Sequence, residues 1–165
     1  MDLERTLVLI KPDGVQRGIV GQIVSRFETA GLKIVGLKLV QVDEEFAKKH
    51  YTEDITVRRG EKVRNMMVDM ISSSPVVAIA LEGVESVELV RKMVGSTEPK
   101  MAAPGTIRGD YAHVSYNYAN AKDIGVKNVI HASSDIEDAK KEMALWFSDS
   151  ELCQYRSVHD THILE

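Results

Sequence analysis

The sequence predicts an α+β fold: a four-stranded antiparallel sheet covered by helices, with a split βαβ arrangement as the leading topology. Three observations predict it. Short apolar runs rich in β-branched residues recur at 6–10, 34–42, 76–81 and 128–131, each of strand length. Between them, apolar residues repeat at three- and four-residue spacing, the period of an amphipathic helix. The order of the two kinds, β-α-β-α-α-β-α-(long loop)-β-α, contains no internal repeat and no Pro/Gly/Ser linker, so residues 1–165 are expected to form one domain.

Each element has its own signal. The run Thr6-Leu7-Val8-Leu9-Ile10 stops at Lys11-Pro12-Asp13-Gly14, a buried strand ended by a turn. Ile19, Ile23 and Phe27, widened by Val20 and Val24, form a helical stripe, and Gly31 stands where a helix C′ glycine belongs. After the second strand, Asp43 is placed to cap a short helix reaching about Tyr51. Residues 52–60 are polar, charged and closed by glycine, and are expected to be a loop. Val63, Met66, Met67, Met70 and Ile71 suit a helix face, which Ser72-Ser73-Ser74-Pro75 ends before the third strand. Val87, Val90 and Val94 mark another helix. From about 95 to 127 the pattern is lost among scattered Pro and Gly, and an irregular stretch that long in a compact domain is usually functional. The fourth strand follows at 128–131. Then Ser134-Asp135-Ile136-Glu137 matches a capping box ahead of Ile136, Ala139, Met143 and Trp146.

Composition removes several function classes. A formal net charge of −4 lacks the basic excess of a nucleic-acid binder, so nucleic acid is not expected as a partner. A single cysteine, Cys153, permits no intrachain disulfide and no Cys-based zinc site. The N-terminus lacks a signal-peptide pattern and no apolar run could span a bilayer; the expectation is a cytoplasmic protein with no membrane contact. P-loop, dinucleotide-fingerprint and zincin motifs are all missing.

The chemistry-bearing residues lie elsewhere. Lys11 ends an apolar strand, which puts its ammonium at the sheet rim; Arg91 lies on the helix before the irregular stretch, and Arg108 sits inside a glycine-bounded turn. Each is either a surface charge or part of an anion site. His131 closes an apolar run just ahead of a helix start. It is either a sheet-edge histidine bonded to a carbonyl or a nucleophile, since an unperturbed imidazole, with pKa ~6.5, is largely neutral at pH 7. Glu142, two turns into the following helix, is either a partner for that ring or half of a surface pair with Lys140 or Lys141.

Taken together, four segments resemble the nucleoside diphosphate kinase family over nearly the whole chain. They are 4–18 (ERTLVLIKPDGVQRG), 95–99 (GSTEP), 104–110 (PGTIRGD) and 128–133 (NVIHAS), the last closed by Glu142 and Leu145-Trp146-Phe147. The resemblance implies a ferredoxin-like core and transfer of a γ-phosphoryl group from a nucleoside triphosphate to a diphosphate by a ping-pong cycle. It makes His131 the phosphorylated nucleophile, with Glu142 orienting the ring and Ser133 nearby. Lys11, Arg91, Thr97 and Arg108 would hold phosphates, Asn128 and Lys11 would reach the ribose, and Tyr51 would touch the phosphate region. Mg²⁺ is the implied cofactor, carried on the nucleotide phosphates and not by protein ligands. A homo-oligomer is implied, a hexamer ahead of a tetramer.

Two places depart from the family pattern. Where the family has an Arg/Lys-Pro-Phe-Phe run whose first phenylalanine stacks on the base, this chain is a few residues longer and has Val63, with Met67 as the apolar neighbour. Loss of the aromatic either weakens base binding or leaves the task to another group. The stretch after Asp110 is also longer, and its Tyr116 and Tyr118 either pack against structure or cap the site.

Overall fold

The computed structural model describes residues 3–164. Four strands, β1 (Glu4–Ile10), β2 (Lys33–Val40), β3 (Val76–Gly83) and β4 (Ile130–Ala132), form one sheet in the order β2-β3-β1-β4, with every neighbouring pair antiparallel. This is the ferredoxin-like split βαβ order. The nine α-helices among the described residues are α1 (Pro12–Gln16), α2 (Val20–Thr29), α3 (Glu44–His50), α4 (Glu53–Arg59), α5 (Glu61–Ser72), α6 (Ser86–Val94), α7 (Ile107–Tyr111), α8 (Tyr116–Lys122) and α9 (Ile136–Trp146). None is long and apolar enough to cross a membrane.

The two-residue period of β1 divides the core. Val8 and Ile10 face one side, where α2 and α6 bring Ile23, Phe27, Val90 and Val94. Leu7 and Leu9 face the other, against Val68 and Ile71 of α5 and Met143 and Trp146 of α9. Both faces are closed, which is why β1 and β3 read as continuous apolar runs. Register then fixes the chemistry. Leu9 stands opposite His131, so His131 projects to the α5–α9 side, while its neighbours Ile130 and Ala132 join the α2–α6 core. Lys11 continues the odd-numbered face of β1 beyond the strand end, toward the same side.

The irregular features have local causes. Ile130 N donates to Asn128 O at 2.8 Å around Val129, whose φ of 71° is a strained conformation for a β-branched residue. That tight turn is held from both sides: Val129 N donates to the Asp13 carboxylate and Lys11 N donates to Val129 O.

Several boundaries differ from the sequence-based expectation. Lys11-Pro12-Asp13-Gly14 opens one turn of helix, α1, because Pro12 supplies a preset φ at the first position. Residues 52–60 are not a loop: α4 occupies 53–59, with Glu53 and Asp54 in its first turn and Arg58 and Arg59 in its last, the polarity a helix dipole favours. The irregular stretch holds a 3-10 turn and two helices. One begins where Thr106 accepts from Gly109 N, the other where Ser115 accepts from Tyr118 N. The cap of α9 is Asp135, which accepts from Asp138 N, and not Ser134. β2 ends at Val40, two residues early, and β4 runs 130–132 instead of 128–131 because the Val129 turn takes Asn128 out of the ladder.

Candidate active site

On the α5–α9 side, His131 and the end of β1 open into a cavity of about 860 Å³. Its walls include Lys11, Tyr51, Val63, Met67, Arg91, Thr97, Arg108, Asn128, His131 and Glu142, while Ser133 is fully buried behind His131. The lining side chains come from seven places on the chain, so the sheet and the strained 128–130 turn do the gathering.

His131 is held at one nitrogen only. Its Nε2 lies 2.9 and 3.1 Å from the two Glu142 oxygens, and Ser133 Oγ donates to Glu142 Oε2 at 2.5 Å. A carboxylate can only accept, so Nε2 carries a hydrogen; in the neutral ring the lone pair is then on Nδ1, which has no partner among the described residues. Burial would raise the Glu142 carboxyl, but the neighbouring His131 and His50 rings and the Ser133 hydroxyl hold it below the usual carboxylate range, so it is ionised.

Below this pair lies His50, whose ring meets His131 edge-on at 4.7 Å between centroids. Trp146 Nε1 donates to His50 Nδ1 at 3.1 Å, which requires the neutral tautomer with hydrogen on Nε2. Burial first, then the nearby His131, pushes its pKa down to about 3, so His50 stays neutral. His50, His131 and Glu142 cluster within 4.8 Å, a spacing that invites a metal. The hydrogen bonds argue otherwise: the indole N–H occupies the His50 Nδ1 lone pair, and the His131 Nε2 hydrogen faces the carboxylate.

The rest of the site is cationic and unneutralised. Lys11 Nζ donates to Asn128 Oδ1 at 2.7 Å, and Asn128 Nδ2 donates to Thr97 O at 2.8 Å. Arg108 is aimed by three carbonyls: its Nε, Nη1 and Nη2 donate to Asn128, Gly95 and Ile130 oxygens. Among the described residues no carboxylate pairs with Lys11, Arg91 or Arg108. Burial, then Arg108, drives the Lys11 ammonium down to about 7, and burial lowers Arg108 to about 10. Tyr51 is buried, its phenol pushed up by that burial, and its hydroxyl has no partner among the described residues. Such a set of cations without carboxylate partners, with the free Tyr51 hydroxyl beside it, stabilises an anion brought among them.

Sequence reasoning alone missed two contributors. His50 packs under His131, a contact with no spacing signal. Arg59 enters the cavity wall because α4 is a helix, and the acidic-to-basic run along 53–59 is the signal that could have revealed it. Tyr116 lines the cavity, whereas Tyr118 stands exposed outside it.

Comparison with known proteins places this geometry. The family model described as nucleoside diphosphate kinase matches residues 4–152. A curated nucleoside diphosphate kinase from Borreliella burgdorferi is 52% identical over 157 residues, 94% of each chain. A solved structure described as a transition state mimic of nucleoside-diphosphate kinase from Borrelia burgdorferi, with bound vanadate and ADP, matches at TM-score 0.95 and 50% identity, over 97% of this chain and 96% of that one. A halophilic nucleoside diphosphate kinase from Halobacterium salinarum in complex with CDP matches at TM-score 0.83 and 40% identity, over 98% and 99%.

Proposed function

The chain belongs to the nucleoside diphosphate kinase family of phosphotransferases, and on that premise we propose that it moves the γ-phosphoryl group of a nucleoside triphosphate, typically ATP, to a nucleoside diphosphate through phosphorylated His131. The observation that carries this reading is the state of the His131 ring: Nε2–H is anchored on Glu142, leaving the Nδ1 lone pair unpartnered. In the first half-reaction Nδ1 attacks the γ-phosphorus, a new N–P bond forms, and the bond to the β,γ-bridging oxygen breaks, that oxygen keeping the electron pair in the departing diphosphate. The ring then carries a positive charge that the Glu142 carboxylate offsets. In the second half-reaction a β-phosphate oxygen of the acceptor attacks the same phosphorus and the N–P bond returns its electrons to Nδ1. One site serves both nucleotides in turn.

Little covalent help is needed for such a transfer; the work is positioning and charge stabilisation. Lys11, Arg91 and Arg108 hold the phosphates, with Thr97 and the Tyr51 hydroxyl as neutral donors. Asn128, fixed between Lys11 and Thr97, is placed for the ribose. The bound vanadate and ADP of the Borrelia burgdorferi relative support the assignment. The donor set also fits Mg²⁺ bound through the nucleotide: the walls are cationic, and Glu142 is committed to His131 and Ser133. Mg²⁺ when bound would neutralise phosphate oxygens, with no side chain required as its ligand.

Val63, Met66, Met67 and Met70 form an aliphatic wall that offers no group to read a base edge, which supports broad base tolerance. We also propose a single kinase domain and a homo-oligomer, a hexamer in preference to a tetramer; exposed Leu37 and Leu39 on the edge strand β2 support self-association. Initial rates of ATP-to-dTDP transfer with Mg²⁺ test the proposal. Parallel double-reciprocal lines across fixed ATP concentrations are expected; intersecting lines or no transfer would contradict it.

A further inference from the structure

Further cations line the same cavity, Lys49, Arg58, Arg59 and Lys141 among them. Arg59 is the last residue of α4, and its guanidinium is exposed with no hydrogen bond or ion pair among the described residues. Its neighbours are engaged. Arg58 Nε donates to Asp54 O, while Arg64 donates to Tyr51 O and Lys48 O and pairs with the Glu53 carboxylate. The charge of Arg59 is felt at Lys11, where it acts in the same direction as burial and Arg108 to disfavour the ammonium. Lys11 answers to an amide oxygen, not a carboxylate. Lys11, Arg59, Arg91 and Arg108 thus converge on one cavity with no ion pair to a carboxylate among the described residues, an arrangement that favours the entry of an anion.

The packing of α4 sharpens the point. No residue of the helix is fully buried, and its hold on the core is light: Ile55, half-buried, packs against it. It is tied down from α5 and from the end of α3, through the Arg64 contacts to Glu53, Tyr51 and Lys48. What the helix contributes to the cavity is Asp54 and Ile55 from its first turn and the two arginines from its last.

We propose that Arg59 binds the phosphate chain of the nucleotide, as a cation supplied by α4 in addition to Lys11, Arg91 and Arg108. The inference rests on the phosphotransfer reading of this cavity. It accounts for how a site with Val63 on its wall, and no aromatic at that position, retains its ligand: affinity is shifted from the base toward the phosphates. A guanidinium is suited to this because it grips phosphate oxygens with two parallel N–H groups.

Dissociation constants of ADP, inorganic tripolyphosphate and adenosine, measured for the wild type, Arg59→Ala and Arg59→Lys, test the proposal. Arg59→Ala is expected to weaken ADP and tripolyphosphate by about tenfold, the loss of one charge-assisted contact, and to leave adenosine within about twofold. Arg59→Lys should recover part of the loss, and raising the salt concentration should narrow the gap. Unchanged ADP and tripolyphosphate binding would overturn it, and so would an equal loss for all three ligands, which marks a covering role for α4. Phosphohistidine formation from Mg-ATP is followed on the same samples. Its absence in the wild type removes the phosphotransfer reading and this inference with it; its presence, with Arg59→Ala binding like wild type, removes only the role of Arg59.

Discussion

Replacing Glu142 with Gln separates the charge of that residue from its geometry. In the wild type the carboxylate accepts from His131 Nε2 and from Ser133 Oγ. A glutamine can still offer its oxygen to Nε2 and turn its amide nitrogen toward Ser133 Oγ, so the ring keeps its orientation and tautomer. What disappears is charge assistance. A hydrogen bond to a charged group contributes about 1.5–3 kcal/mol and a neutral one about 0.5–1.5 kcal/mol, a difference of about 1–1.5 kcal/mol. If that difference is felt where the ring turns cationic, phosphorylation slows by about five- to fifteenfold. Glu142→Ala removes the acceptor entirely and strands the ring N–H and the buried Ser133 hydroxyl, for about 3 kcal/mol or more, beyond a hundredfold. The assay is rapid-quench measurement of single-turnover phosphohistidine formation from Mg-ATP. A Gln variant within twofold of wild type, together with an Ala variant within tenfold, would refute the role given to Glu142.

Other perturbations probe the remaining parts. Lys11 has a folded pKa of about 7, well below an unfolded lysine, so the unfolded chain binds more protons between about pH 7 and pH 10; chemical denaturation should therefore show wild type gaining stability relative to Lys11→Met as pH rises through that window. The same proton carries the charge proposed to hold phosphate, so ADP affinity of the wild type, measured by calorimetry, should fall above about pH 7 while that of Lys11→Met stays flat. Val63→Phe should tighten ADP but not tripolyphosphate by about 1 kcal/mol, the lower end of what stacking on an aromatic contributes per base in single-strand binders. Gly109→Ala places a Cβ 2.1 Å from Ala103 O, so α7 must shift; a lowered melting temperature and a raised KM are expected, because Arg108 sits on that helix.

The sheet was legible because its signals are local and redundant. β1 and β3 are long apolar runs, and α2, α6 and α9 carry clear helical stripes. Where the signal depended on charge, it was easy to misjudge. Residues 53–59 look like a solvated loop by polarity, yet Glu53, Asp54, Arg58 and Arg59 are ordered as a helix dipole prefers. Most residues that line the cavity could be named one by one through the family motifs, but their arrangement could not. That His131 shares a face with Leu9 follows from strand register, and register is a long-range property. His50 shows the limit most clearly: its contacts with Trp146 and His131 join positions 96 and 81 residues away, and no spacing rule connects them.

Intact mass after brief exposure to Mg-ATP tests the central claim most directly, on the wild type and His131→Ala, followed by a dTDP chase. The account predicts one added phosphate on the wild type, none on the variant, and loss of the label with formation of dTTP in the chase. Label on His131→Ala, or dTTP formed by that variant at the wild-type rate, would contradict it.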